Sequence, residues 1–208
     1  MRLRDASMAG ARGALALMAV TMAALPAVSL EVLPDERAGR KACEKALCAM
    51  VVTREAAGGP LACNMVKTWD RDKIKKGGES GKLSWGFGDA RCSVAISIPR
   101  DQLMPALAEA KYTLQVPTQT VKCEIEGSDQ KITTINVEAN PKIEFVGGKA
   151  EKLWLNVGKV DGDSIATNFV WAATKLIDNL GLFHSAAIAE INSFVHDKCP
   201  QIHAGKDE

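Results

Sequence analysis

The chain has 208 residues, 47% hydrophobic and 25% charged, with a formal net charge of +1. That balance excludes a low-complexity disordered polymer and leaves no basic surplus for nucleic acid or an acidic membrane surface. Six Cys against three His direct attention to disulfides before metals.

At the N-terminus Arg2, Arg4 and Arg12 precede an uncharged apolar run from Gly13 to Leu25, which ends at Pro26-Ala27-Val28-Ser29. A basic start, a short greasy core and a small-residue exit are the parts of a secretory signal peptide. Residues 1–29 are therefore expected to be a leader cleaved after Ser29. The apolar run is shorter than the roughly 20 residues a membrane-spanning helix needs, so no integral membrane protein is expected after cleavage. Residues 1–29 hold three Arg and one Asp, and the remaining 179 residues carry 23 basic and 24 acidic side chains. They suffice for a single domain, residues 30–208, with its own core. All six Cys fall in this part, as suits an oxidising compartment. No Asn-x-Ser/Thr sequon occurs, which favours a bacterial periplasm over a eukaryotic secretory route.

Residues 37–53 read as a helix on Ala42, Leu47, Met50 and Val51, stopped by Ala56-Ala57-Gly58-Gly59-Pro60. Residues 67–82 mix Lys67, Lys73, Lys75, Lys76 and Lys82 with three Gly and three acids, and read as a solvated loop. From Leu83 the period becomes two: Leu83, Trp85 and Phe87 alternate, then Cys92, Val94, Ile96 and Ile98 in the other parity. A parity flip at Gly88-Asp89 predicts a bulge or tight turn, with Asp89 and Arg91 placed to pair across it. Asp101 is expected to cap a short helix to about Ala110. Strand patterns follow at Tyr112-Leu114-Val116, Val121-Cys123-Ile125 and Thr133-Ile135-Val137. Ile143 and Phe145, Gly147-Gly148, then Leu153, Leu155 and Val157 predict a hairpin on a glycine turn. Trp154, out of phase with Leu153 and Leu155, is expected to face a second layer. Ile165, Phe169, Val170, Ala173, Leu176, Ile177 and Leu180 form a broad helical stripe ending at Gly181, and a further helix starts at Ser185. The tail after about residue 200 reads as disordered. This order predicts an α+β fold: a mostly antiparallel sheet packed against C-terminal amphipathic helices and braced by disulfides.

Cys43 and Cys48 lie five apart on one helix, about 140° around its axis, so each should bond elsewhere. Cys92 and Cys123 share core parity on two strands and are the favoured cross-strand pair. Cys48–Cys63 and Cys43–Cys199 complete the expected set. No Cys-x-x-Cys and no His-Glu-x-x-His occurs, so no metal or cofactor is expected. Gly77-Gly78-Glu79-Ser80-Gly81-Lys82 fails as a phosphate loop. Lys76 stands where its first Gly belongs, and Leu83 where Ser or Thr should bind magnesium. His184, His196 and His203 carry no local catalytic signature, and no catalytic residue is assigned.

The runs Lys67-Thr68-Trp69, Trp85-Gly86-Phe87-Gly88-Asp89-Ala90-Arg91-Cys92, Lys149-Ala150-Glu151-Lys152-Leu153-Trp154 and Gly181-Leu182-Phe183-His184, with Cys43 and Cys48, resemble small exported proteobacterial proteins of unassigned function. That resemblance covers most of residues 30–208 and implies a periplasmic setting, without an activity. The stretch Val137 to Val160, with Pro141-Lys142-Ile143-Glu144-Phe145 and Leu153-Trp154-Leu155, is similar in pattern to tubular lipid-binding domains, which hold lipid between a curved sheet and a long helix.

Three function classes follow. The first is a periplasmic binding module for an apolar or amphipathic ligand, its cavity between sheet and stripe, with Trp85, Phe87, Phe145, Leu155, Phe169, Leu176 and Ile177 as candidate contacts. The second is an envelope interaction or structural protein with a solid core, touching its partner through Asp89, Arg91, Lys73, Lys75 and Lys76. The third is a hydrolase whose site assembles from residues distant in sequence. Nothing in the sequence sets the oligomeric state.

Overall fold

The computed structural model describes residues 29–55, 57–78, 85–129, 131–171 and 184–206. The expected leader, apart from Ser29, lies outside the described residues. So do Leu176 and Ile177.

The fold is α+β. Helix α1 (Glu36–Thr53) is followed by β1 (Leu61–Trp69), α2 (Arg71–Gly78), β2 (Ala90–Ile98) and α3 (Arg100–Ala108). Six strands come next: β3 (Lys111–Gln115), β4 (Gln119–Glu126), β5 (Ile132–Ala139), β6 (Lys142–Val146), β7 (Lys149–Trp154) and β8 (Val157–Gly162). Helix α4 covers residues 164–171 as far as it is described. Helix α5 (His184–Ser193) continues through a π-helical turn (Phe194–Lys198) into α6 (Cys199–His203).

The strands form two antiparallel sheets, β1-β2-β4-β5-β8 and β3-β6-β7. The chain passes between them at Val116-Pro117, Asn140-Pro141 and Leu155-Asn156. These crossings are stitched to one another. The Val116 amide donates to the Pro141 carbonyl at 2.8 Å, and the Asn156 side-chain amide donates to the Asn140 carbonyl at 3.2 Å. Asn156 sits at φ 48°, a left-handed conformation that Asn tolerates better than most residues. The kink there explains why the alternation of Leu153, Leu155 and Val157 does not make one strand. It is split between β7 and β8, in different sheets. The Gly147-Gly148 turn forms as expected, with φ of 56° and 76°.

Several segments differ from the sequence reading. Residues 67–78 are not a loop: β1 runs through Trp69, and α2 follows, opened by the Lys73 amide donating to the Asp70 carboxylate at 2.8 Å. Trp85 and Phe87 lie in a loop ahead of β2, where the Trp85 indole donates to the Gly88 carbonyl at 2.7 Å and the Glu126 side chain lies against Gly88, in the space a Cβ would fill. Asp101 sits in the first turn of α3 and does not cap it, since Pro99 holds the cap position. The expected disordered tail is helical through His203, anchored by Cys199, which is fully buried.

All six Cys are paired, as Cys43–Cys63, Cys48–Cys199 and Cys92–Cys123. The cross-strand pair is as expected: Cys92 and Cys123 are directly opposite in register, with Cα atoms 4.0 Å apart. The other two exchange partners relative to the expected Cys48–Cys63 and Cys43–Cys199. The reason lies in the faces of α1. Glu36, Gly39 and Cys43 recur at helical spacing and face β1, where Gly39 lies against the Asn64 carbonyl. Cys48 is rotated away toward α6. Three disulfides fit an oxidising environment, and no described helix is long and apolar enough to cross a membrane.

Strand β1 is an edge of the larger sheet, and α1 lies along it, covering backbone groups that would otherwise invite another strand. Glu36 makes the closest link. Its buried carboxylate accepts the Thr68 amide at 3.0 Å, the Thr68 hydroxyl, and the Leu33 amide at 3.3 Å. Burial pushes this carboxyl up. The Thr68 hydroxyl and amide, the Leu33 amide and the charge of Lys67 outweigh burial and hold it below its ordinary value of 4.5. A group whose folded pKa is depressed stabilises the fold above its unfolded pKa, and that stabilisation fades as pH falls through the folded one. Glu36→Gln is therefore expected to cost about 2 kcal/mol at neutral pH, in the range for hydrogen bonds to a charged group. Urea midpoints of wild type and variant should converge as pH is lowered below about 4.5. A constant gap across that range would contradict this role.

Candidate ligand-binding cavity

Apolar side chains gather in two clusters. The smaller holds Ala90, Cys123, Ile125 and Ile135 of the large sheet against Ala166 of α4. Trp85, Phe87 and Phe169 close it as an aromatic trio, with ring centroids 5.0, 5.3 and 5.7 Å apart. Asp163 starts α4 by accepting the amides of Ile165 and Ala166.

The larger cluster lies between α1, α3, the small sheet and the C-terminal helices, and an apolar cavity, half open to solvent, reaches into it. The cavity measures about 330 Å³, within the range of roughly 300–1,000 Å³ typical of small-molecule sites. Its floor is the small sheet, with Leu114 and Val116 at the end of β3 and Ile143 and Phe145 on β6. Leu61 and Ile98, paired in register where β1 meets β2, close one end. Leu47 and Val51 of α1 face Leu103 and Leu107 of α3 across it. Ile191, Phe194 and Val195 form the remaining wall. Each wall follows from one rule: a spacing of four (or three and four) on a helix, or of two on a strand, places apolar groups on one face.

One charged residue touches this lining. Glu190 has a side chain 70% exposed and paired with Lys198 at 2.6 Å, so it belongs to the rim. The π-helical turn adds one residue to the helical repeat between Phe194 and Lys198, a device found often at functional sites. Phe194 and Val195, at its start, line the cavity, and the His196 Nε2 meets the Gly148 carbonyl at 3.0 Å. A carbonyl only accepts, so Nε2 carries the proton. Asn192 pairs both its amide groups with the Ala150 backbone on the edge of β7, at 2.8 and 3.0 Å, and so docks α5 on the small sheet. Cys48–Cys199 ties α1 to α6 over the same core.

A second cleft, of about 650 Å³, adjoins the cavity and shares Val51, Leu107 and Val195 with it as wall residues. Its lining is mixed, with Arg54, Glu109 and His196 set among Val52, Ala108, Ala110 and Pro200 around the Gly147-Gly148 turn.

Of the residues singled out from sequence as ligand contacts, Phe145 lines the cavity. Trp85 and Phe87 pack on the other cluster with Phe169 against their rings, Ile165 is 70% exposed, and Leu155 lies in the crossing between sheets. Trp154 has Lys142 Nζ 3.9 Å above its ring, a cation–π contact. The surface candidates are mostly tied within the chain. Asp89 accepts the Arg71 amide at 2.9 Å, and Arg91 pairs with Glu124 at 2.6 Å, not with Asp89. Lys73 pairs with Asp70 at 2.6 Å, while Lys75 and Lys76 lie exposed on α2. Among the described residues no group of three His, Cys, Asp or Glu is placed to hold a metal ion.

The chain matches no family model, and neither curated proteins nor solved structures give a match.

Proposed function

We propose that this protein is an exported binding module that holds the apolar part of an amphiphile in the cavity between α1, α3, the small sheet and α5. The observation that carries this reading is a hollow of about 330 Å³ lined by Leu, Ile, Val and Phe from every surrounding element. Its apolar lining and its size suit a hydrocarbon chain. Export through the leader to a bacterial periplasm accords with the three disulfides, and periplasmic amphiphiles are the available cargo.

Fluorescence titration with aminoanthracene, a small apolar dye, tests this. The expected result is saturable binding at one site per chain, with emission shifted to the blue. Non-saturating emission equal to that of a solid-cored protein of similar size would overturn it.

A further inference from the structure

The cavity accounts for one end of a ligand, and the adjoining cleft bears on the other. The two spaces share Val51, Leu107 and Val195 as wall residues, so a chain that leaves the first past these side chains puts its polar end in the second. The charges of the cleft have opposite signs and are separate. Arg54 and Glu109 make no ion pair with each other or with any other described side chain.

The backbone adds a bias. Arg54 is the cap of the C-terminal end of α1, and Glu109 the cap of the C-terminal end of α3. Both helices thus turn their negative ends toward this cleft, which favours a cation there. Glu109 adds to that preference and Arg54 opposes it. A purely anionic head would face two helix C-termini and a carboxylate with Arg54 alone to hold it. A purely cationic head would face Arg54.

Resting on the binding reading above, we infer that the ligand is a single-chain zwitterionic amphiphile. Its chain lies in the cavity, the anionic group of its head at Arg54, and the cationic group at Glu109 and the carbonyl ends of α1 and α3. Lipid fragments and free zwitterionic surfactants share this chemistry.

Competition against bound aminoanthracene tests the inference on the full folded chain. Three probes with the same ten-carbon alkyl chain are used below their micelle concentrations: decylphosphocholine, undecanoate and decyltrimethylammonium. Decylphosphocholine should displace the dye at a concentration about fivefold lower than either singly charged probe, the size of one exposed charge contact. Arg54→Ala should remove the advantage over the cationic probe, and Glu109→Gln the advantage over undecanoate, while both variants keep wild-type dye affinity. Equal displacement by all three probes, or tighter binding of a singly charged one, overturns the head assignment and leaves the cavity reading intact. Failure of the dye itself to bind wild type removes the cavity reading, so the two failures are distinct. If decylphosphocholine wins, lysophospholipid against a short-chain zwitterionic surfactant in the same assay separates the two sources.

Discussion

Replacing Cys48 and Cys199 together with Ala is expected to be the most damaging change to this fold, costing about 5 kcal/mol by loop-closure entropy. The two residues are 151 apart in sequence, so their bond restricts the unfolded chain more than either of the others. The same reasoning gives about 4 kcal/mol for Cys92–Cys123, at a separation of 31, and about 3 kcal/mol for Cys43–Cys63, at 20. Both sulfurs of the long-range pair are fully buried in the larger core, so Ala also leaves a small void. Typical domains have only about 5–15 kcal/mol of total stability, and the double variant should sit near the unfolding threshold at 37 °C. Denaturant unfolding of the three double variants checks the order. A Cys92/Cys123 variant less stable than the Cys48/Cys199 variant would contradict it.

A functional consequence follows from the same bond. It holds α1, which contributes Leu47 and Val51, against the helix that follows Phe194 and Val195. Dye affinity should therefore fall in the Cys48/Cys199 variant at temperatures where circular dichroism still reports a folded chain. The Cys92/Cys123 variant, altered in the other cluster, should keep it.

The second large effect is expected from filling the cavity. Ile143 stands on the central strand of the small sheet, between Leu114 and Leu153 in register, and lines the hollow. Ile143→Trp would place an indole where the ligand chain is expected, and dye affinity should drop by more than about tenfold, the equivalent of about 1.4 kcal/mol. In a solid core the same substitution would overpack and cost about 1–3 kcal/mol of stability. In a hollow one the added contacts offset that cost, and the unfolding midpoint should stay within about 1 kcal/mol of wild type. Leu47→Trp, entering from α1, gives an independent second case. Lost binding with retained stability in both supports a real cavity. Retained binding with lost stability places the dye elsewhere.

Much of this architecture was legible in the residues. The alternation through Cys92–Ile98 and Val121–Ile125 set two strands and their parity, and that parity placed Cys92 opposite Cys123. The Gly147-Gly148 hairpin was readable because two adjacent residues at positive φ need glycine. The pairing of Cys43 and Cys48 was not, because angular separation on a helix says that two side chains diverge without saying what each meets. The Glu36, Gly39 and Cys43 stripe carried the missing signal: a small residue between an acid and a thiol, on the face pressed against β1. The cavity was hidden for a related reason. Leu103, Leu107, Leu114 and Phe194 read individually as ordinary core positions. Whether such residues meet or leave a gap depends on how elements far apart in sequence are held, here by Asn192 on β7 and by Cys48–Cys199. The aromatic residues at 85, 87 and 169 drew attention instead, and they pack on one another.

Binding as proposed needs one hydrocarbon chain to enter the space bounded by Leu114, Phe145 and Val195. Crystals grown with decylphosphocholine brominated at its chain end test this most directly, because bromine is located by anomalous scattering independently of the surrounding density. The predicted result is a single bromine peak inside the hollow, within van der Waals reach of Leu114 and Phe145. A hollow closed by its own side chains, with bromine only on the outer surface, would contradict the account.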